Sequence, residues 1–213
     1  MPNTRSLRVL SEAAQQCEGC DLYRHATQAV LGEGRVSARI VLVGEQPGDQ
    51  EDLQGHPFVG PAGKILDRAL ADAGIERADA FLTNAVKHFK WEPRGKRRIH
   101  KKPRVSEMRA CRPWLDAELA IVKPAVVVCL GATAAQSFFG AQFKLMQERG
   151  KVLRDPSQPP ASDGTGRRRE GPALRLVATI HPSAVLRAPD DTGRKEAFAM
   201  LVRDLTLARK ALG

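Results

Sequence analysis

The chain has 213 residues, a length that fits one domain able to bury a substantial core without disulfide support. Its 34 Lys and Arg exceed its 24 Asp and Glu and give a net charge of +10, which favours encounter with a polyanion but is equally typical of a basic protein with a solvated surface. The sequence contains no signal-peptide pattern and no apolar run of membrane-spanning length, so we expect a soluble cytoplasmic protein without a membrane partner. In a reducing compartment, the four Cys favour ligands or buried thiols over disulfides.

Apolar strands alternate with amphipathic helices along the chain. Strands are predicted at residues 39–44, 80–86, 125–130 and 174–179, and helices at residues 61–74, from about 106 to 121, from about 132, and in the last segment around Phe198, Leu201, Val202 and Leu205. Strands this apolar, each followed by a helix, are typical of a parallel sheet covered on both faces. The predicted fold class is one α/β domain over residues 1–213 with a central four-stranded parallel sheet, whose ligands bind beyond the carboxyl ends of the strands. Residues 155–172, rich in Pro, Gly, Ser and charge, predict a flexible insertion within it.

The loop after the first strand combines many turn residues with acids. It reads Gly-Glu-Gln-Pro-Gly-Asp-Gln-Glu-Asp over residues 44–52 and continues to Pro-Phe-Val-Gly at residues 57–60. This density of Gly and Pro predicts a shaped pocket. The loop presents five candidate pocket residues, although each taken singly fits an ordinary surface acid, polar side chain or core aromatic: Glu45, Gln46, Asp49, Asp52 and Phe58.

A second polar loop, His-Pro-Ser, begins at His181 directly after the fourth strand. A residue before Pro is held in extended geometry, which can aim this imidazole into a cleft. Together the two loops closely resemble the active-site motifs of the iron–sulfur uracil-DNA glycosylases, whose first motif usually begins Gly-Glu-Ala-Pro-Gly. Gln46 at the third position is the form seen in the UdgX subclass of that superfamily.

The resemblance implies a role for each pocket residue. A uracil flipped out of the DNA would stack on Phe58, and the amide of Asn84 would read its edge. His181 would hydrogen-bond uracil O2 and stabilise the departing base, while Glu45 would stabilise the positive charge that develops on the sugar. The other residues expected at the uracil or the DNA are Gln46, Asp49 and Asp52 in the first loop and Ser183 and Arg187 in the last.

The cysteine pattern indicates a metal site. Cys17-Glu-Gly-Cys20 is a C-x-x-C pair, which by itself leaves zinc, redox chemistry and iron–sulfur open. The resemblance implies a structural [4Fe–4S] cluster held by Cys17, Cys20 and Cys111, with His88 where the family usually has a Cys. Imidazole has precedent as an iron–sulfur ligand, but three Cys and one His is also a common structural zinc set. Cys129, inside the third strand, is predicted to be a buried thiol.

A basic segment at residues 91–104 contains Lys-Arg-Arg-Ile-His-Lys. A solvated loop that touches phosphates explains several of its cations, and the predicted phosphate contacts are Lys96, Arg97, Arg98, Lys101 and Lys102. The string matches an inserted loop of the UdgX subclass, whose His attacks the sugar after uracil leaves and stays covalently bound to DNA. The resemblance implies that role for His100, whose imidazole must be neutral; we expect the neighbouring cations to keep it so and Glu45 to orient it or accept its proton.

The predicted function is excision of uracil from DNA in repair, followed by covalent trapping of the sugar by His100 in a single turnover. One alternative is a conventional glycosylase that turns over and releases an abasic site. A less favoured alternative is a non-catalytic, metal-stabilised DNA-binding module. We expect a monomer that prefers uracil in single-stranded DNA and associates with the nucleoid when bound.

Overall fold

The computed structural model describes residues 2–157 and 174–213. Most of the predicted flexible insertion therefore lies outside the described residues. The strands are β1 (Ile40–Gly44), β2 (Ala80–Asn84), β3 (Trp91–Arg94), β4 (Arg97–His100), β5 (Val126–Leu130), β6 (Val152–Arg154) and β7 (Arg175–Thr179). The helices are α1 (Leu7–Ala14), α2 (Asp49–Gln54), α3 (Pro61–Asp72), α4 (Val105–Val122), α5 (Ala132–Phe139), α6 (Leu145–Glu148), α7 (Ser183–Leu186) and α8 (Asp191–Lys210).

A five-stranded sheet in the order β2-β1-β5-β7-β6 forms the centre of the fold. Its first four strands are parallel, and β6 runs antiparallel to β7 at one edge. The predicted α/β class is thus confirmed, whereas the predicted count of four strands was wrong. The missed strand β6 has only three residues, two of them exposed, so it lacks the apolar run that identifies a buried strand.

Helices cover both faces of the sheet, as predicted. Ile40 and Leu42 of β1 pack into one core with Leu66 of α3 and Leu201 of α8. The alternate residues Val41 and Val43 pack into a second core with Leu115 of α4 and Ala134 of α5. Successive side chains of a strand point to opposite faces, so a strand covered on both sides is apolar throughout. These layers form a single α/β domain.

The basic segment, predicted as a loop, is an antiparallel hairpin of β3 and β4. Gly95 begins its two-residue turn with a φ of 59°, a left-handed conformation that glycine adopts without steric cost. We call residues 90–101 the basic hairpin, because Lys101 N donates to Lys90 O at 2.9 Å and closes its base. The hairpin lies outside the central sheet.

No helix in the described ranges is long and apolar enough to cross a membrane.

Candidate active site

A cavity of about 790 Å³ opens where the parallel strands end. Glu45 follows β1, Asn84 ends β2, Gly131 follows β5 and His181 lies just beyond β7, so parallel pairing gathers loops distant in sequence at one edge of the sheet. The lining includes ten of the predicted site residues: Glu45, Gln46, Asp49, Phe58, Asn84, His100, Lys102, His181, Ser183 and Arg187.

Asn84 and Phe58 form the deep part of this cavity, with exposures of 3% and 6%. A Cβ at Gly44 would lie 2.3 Å from Asn84 Oδ1 and 2.7 Å from Phe58 Cζ, so only glycine there lets both side chains approach. Phe58 has a φ of 57°, which is costly for an aromatic residue and needs a surrounding structure that holds it. Its carbonyl would be 1.8 Å from a Cβ at Gly63. The shape of the pocket therefore depends on the absence of a side chain at Gly44 and at Gly63.

His181 presents a defined hydrogen-bond donor. Ser183 N donates to His181 Nδ1 at 3.2 Å, and Ser183 Oγ lies 2.7 Å from the same nitrogen while accepting from Arg187. Because Nδ1 accepts, the proton of the neutral ring is on Nε2. Burial, followed by the charges of Arg187 and His100, lowers the pKa of His181 to about 4. The imidazole is therefore neutral at pH 7, with Nε2–H free to donate to a ligand.

His100, at the end of β4, faces the acid of the first loop. Its Nε2 lies 3.4 Å from Glu45 Oε1, and its ring centroid is 6.1 Å from that of Phe89. Half of the His100 side chain is open, yet partial burial is the largest cause that lowers its pKa, and Arg187 lowers it further while Glu45 opposes both. The sequence predicts that cations of the basic segment lower this pKa, whereas in the structure the causes that lower it are burial and Arg187. The neutral form is favoured either way.

Gln46 holds the base of the basic hairpin. Its Oε1 accepts from Lys90 N at 3.1 Å, and its Nε2 donates to the carbonyls of Lys90 and Lys101, each at 3.1 Å. The amide therefore pairs with the main chain at both ends of the hairpin. Gln46 also lines the cavity, and its predicted contact with uracil stays a prediction.

Arg98 anchors the middle of the hairpin. Its Nε and Nη1 each lie 2.6 Å from a carboxylate oxygen, of Asp49 and Asp52 respectively, and its guanidinium lies over the rings of Phe89 and Trp91 at 5.4 and 5.5 Å. Asp52 is fully buried. Arg98 thus points inward and pairs with Asp49 and Asp52. The predicted contacts of Arg98 with phosphate and of the two acids with uracil stay predictions.

The other predicted phosphate contacts have different surroundings. Lys96 and Arg97 are exposed near the hairpin turn, Lys101 pairs with Glu92 at 2.8 Å, and Lys102 lines the cavity. Their contact with DNA stays a prediction.

Cys17, Cys20 and Cys111 lie in one cluster with α1 and α4. Lys87 N and Trp114 Nε1 donate to Cys111 Sγ and Cys17 Sγ, both at 3.1 Å. Burial raises the pKa of the Cys111 thiol to about 12 and that of the Cys20 thiol above its usual range.

The fourth predicted ligand is His88. His88 is buried, which lowers its pKa, and the charge that opposes this shift is Asp52. Within residues 2–157 and 174–213, no three His, Cys, Asp or Glu side chains are arranged to hold a metal ion. The thiols and the imidazole suit iron–sulfur or zinc chemistry, but in the described ranges neither the three cysteines nor the set with His88 has a metal-holding arrangement. Cys129 is a fully buried free thiol, as predicted.

Part of the cavity wall was not predicted from the sequence. Gly131, Ala132 and Thr133, at the start of α5, line the cavity together with Leu186, whose side chain is exposed. A glycine directly after an apolar strand was the available signal, because the turn that follows such a strand is where ligands bind in parallel sheets.

Comparison with known proteins agrees with this arrangement. Residues 31–206 match the family model of the uracil DNA glycosylase superfamily. The chain is 36% identical over 182 residues to a type-4 uracil-DNA glycosylase of Thermotoga maritima, covering 85% of this chain and 83% of that protein. It is 37% identical over 183 residues to the type-4 enzyme of Pyrobaculum aerophilum, covering 86% of each, and 36% identical over 188 residues to that of Archaeoglobus fulgidus, covering 86% and 85%. The chain therefore belongs to the uracil-DNA glycosylase superfamily.

Proposed function

We propose that this protein excises uracil from DNA and that His100 then captures the sugar, leaving the protein covalently attached to the repair site. The observation that carries the second step is the position of His100 Nε2, 3.4 Å from Glu45 Oε1, in the cavity that also contains Asn84, Phe58 and His181. A group beside the acid that stabilises a sugar cation is placed to react with that cation.

Uracil recognition would take place in the deep part of the cavity. The glycosidic bond cannot be reached inside a duplex, so the nucleotide is flipped before it enters. Phe58 offers an apolar ring for stacking, and the Asn84 amide can donate to uracil O4 and accept from N3–H.

Bond cleavage would then send the C1′–N1 electron pair out with the base. The neutral His181 ring donates from Nε2–H to uracil O2, where negative charge develops. The Glu45 carboxylate stabilises the opposite charge on the sugar. His181 thus stabilises the departing base, and Glu45 stabilises the sugar that remains.

Capture would follow at the sugar cation beside Glu45. The lone pair of His100 Nε2 forms a bond to C1′, and the proton on Nδ1 is released to water, so the charge of the uracil anion is balanced. The low pKa of His100 favours the neutral ring that this step needs. A protein bonded to its product cannot turn over.

Trapping is tested with uracil-containing single-stranded DNA on a denaturing gel. A shifted band that survives denaturation is expected with wild-type protein, and none with DNA carrying thymine in place of uracil. An alkali-labile nick without a shifted band would indicate a conventional glycosylase. The absence of both products would indicate a DNA-binding module.

Two further measurements test the proposed strand preference and oligomeric state. Comparison with matched duplex DNA tests the proposed preference for single strands, and light scattering of the free protein tests the proposed monomer.

We further propose that Cys17, Cys20 and Cys111 hold a [4Fe–4S] cluster with His88 as the fourth ligand. The clustering of the cysteines around α4 and the donation of Lys87 N and Trp114 Nε1 to their sulfurs support this, since such hydrogen bonds stabilise ligating thiolates. Bound there, the cluster would tie the amino-terminal segment to α4. A brown protein with broad visible absorbance is expected; a colourless protein containing zinc would contradict it.

A further inference from the structure

A lysine lies completely buried behind the base pocket. The side chain of Lys87 is 1% exposed and that of its ion-pair partner Glu118, on α4, is 0% exposed, with 2.6 Å between Nζ and Oε2. The remaining Nζ donors reach Thr83 Oγ1 and the Asn84 carbonyl, each at 2.7 Å. All three protons of the ammonium are therefore used.

Stability alone does not explain this pair. The free energy needed to remove two charges from water offsets much of the free energy gained from their attraction. Proteins with well-packed apolar residues in place of a buried ion pair are often as stable or more stable. A buried network in which every group is satisfied does, however, restrict the backbone to one conformation.

The backbone that this network restricts is the segment following β2. Lys87 Nζ holds the Asn84 carbonyl, while Ala85 N and Val86 N donate to the carbonyls of Gly44 and Glu45 at 2.9 and 3.0 Å. Glu118 Oε1 also accepts from Gly32 N at 2.6 Å, which fixes the acid from a separate segment. The short segment that begins with Asn84 is thus hydrogen-bonded both to Lys87 and to the main chain at Glu45.

We propose that Lys87, paired with Glu118, is a positioning residue that holds Asn84 in register with the flipped uracil; this rests on the proposed role of Asn84. Lys87 does not touch the substrate. It acts through the Asn84 carbonyl, and displacement of the amide by about 1 Å is enough to cost roughly a hundredfold in rate.

The test uses a charge-neutral pair variant, Lys87→Met with Glu118→Gln, which avoids an unpaired buried charge. Its matched control is Arg149→Met with Asp204→Asn, because that pair joins a buried acid to a largely buried Arg at 2.6 Å and neither residue lines the cavity. The single-turnover rate of uracil release is measured at saturating DNA, and thermal unfolding gives the folded fraction.

We expect the Lys87 variant to release uracil roughly tenfold to a hundredfold more slowly per folded molecule, and the Arg149 variant to keep the wild-type rate. Adding the Lys87 change to Asn84→Ala should cause little further loss, because the residue that Lys87 positions is already gone. A purely structural role would slow both backgrounds by the same factor, and this result would overturn the proposal.

Other outcomes separate this proposal from the proposed function. A wild-type rate in the folded Lys87 variant, with Asn84→Ala slowed, overturns the positioning role alone. A wild-type rate in Asn84→Ala overturns the uracil-reading role on which it rests. If the pair variant does not fold, Glu118→Gln replaces it, because this change keeps the side-chain shape and gives the Lys87 ammonium a neutral acceptor in place of a carboxylate. Glu118→Gln should slow uracil release by a smaller factor. An unchanged rate of release in this variant would overturn the proposal.

Discussion

The base pocket and the basic hairpin are built in different ways. Asn84 and Glu45 sit at or beside the ends of paired central strands, and Asn84 is almost fully buried. The hairpin carrying His100 is a separate two-stranded unit, joined to the body through side chains such as Gln46 and Arg98. The groups proposed to release the base therefore rest on the sheet, whereas the group proposed to trap the sugar rests on a separate hairpin. The two steps should thus be separable by mutation.

His100→Ser is expected to have the largest effect and to separate the two steps fully. The denaturation-resistant complex should disappear, while abasic-site production appears with turnover because the smaller side chain admits water. A denaturing gel, run with and without alkali, measures both products. Asn84→Ala is the matched variant of the pocket, and it should slow both products by about a hundredfold. A covalent complex that persists in His100→Ser would contradict the proposed nucleophile.

Loosening the hairpin should slow trapping more than release. Arg98→Met combined with Asp52→Asn removes an inward anchor without leaving a buried charge unpaired. We expect trapping to fall about tenfold, since misplacement of a reacting group by less than 1 Å has an effect of this order, while uracil release stays near the wild-type rate.

The control for that variant is Arg35→Met, which breaks an exposed pair with Asp79 that contributes little energy. Arg35→Met should leave both rates unchanged. Equal slowing of release and trapping in the Arg98 variant would show that the hairpin also builds the base pocket.

The pH dependence of trapping should reflect His100. Because its pKa lies below the ordinary value of 6.5, the reactive neutral form predominates at pH 7 and is lost as the pH falls through the lowered pKa. Arg187→Gln removes a charge that lowers the pKa of His100. The fall in trapping rate on the acid side of the pH profile should therefore occur at a higher pH in this variant. The rate of adduct formation in single turnovers from pH 4.5 to 8 measures the shift. A fall in that rate at a lower pH in the variant than in the wild type would contradict the prediction.

The smallest chemical effect is expected at the hairpin turn. Lys96→Gln and Arg97→Gln should weaken DNA binding and reduce the slope of log affinity against log salt by roughly 0.7 per lost phosphate contact in single strands, while trapping at saturating DNA is unchanged. Binding titrations at several salt concentrations measure the slope. An unchanged slope would identify both as solvated surface residues.

Local patterns were enough to predict much of the fold. The apolar run of β1 and the Pro-initiated, amphipathic α3 identify themselves through periodicity and capping, and the motifs around Glu45 and His181 predicted which loops meet at the cavity. Edge strand β6 and the basic hairpin were missed because both are short and largely exposed, and burial is what creates a periodic pattern.

Side-chain pairing was decided only by the tertiary structure. Arg98 reads in sequence as one more cation of a basic segment, but its partners Asp49 and Asp52 lie 49 and 46 residues earlier. Lys87 likewise reads as a surface residue until α4 brings Glu118 to it from 31 residues away. A charge takes its role from the groups that the fold places within a few ångströms, since attraction and desolvation both depend on distance and burial. The sequence determined which loops form the cavity, and the packed structure decided which of their charges stay exposed and which hold the loops in place.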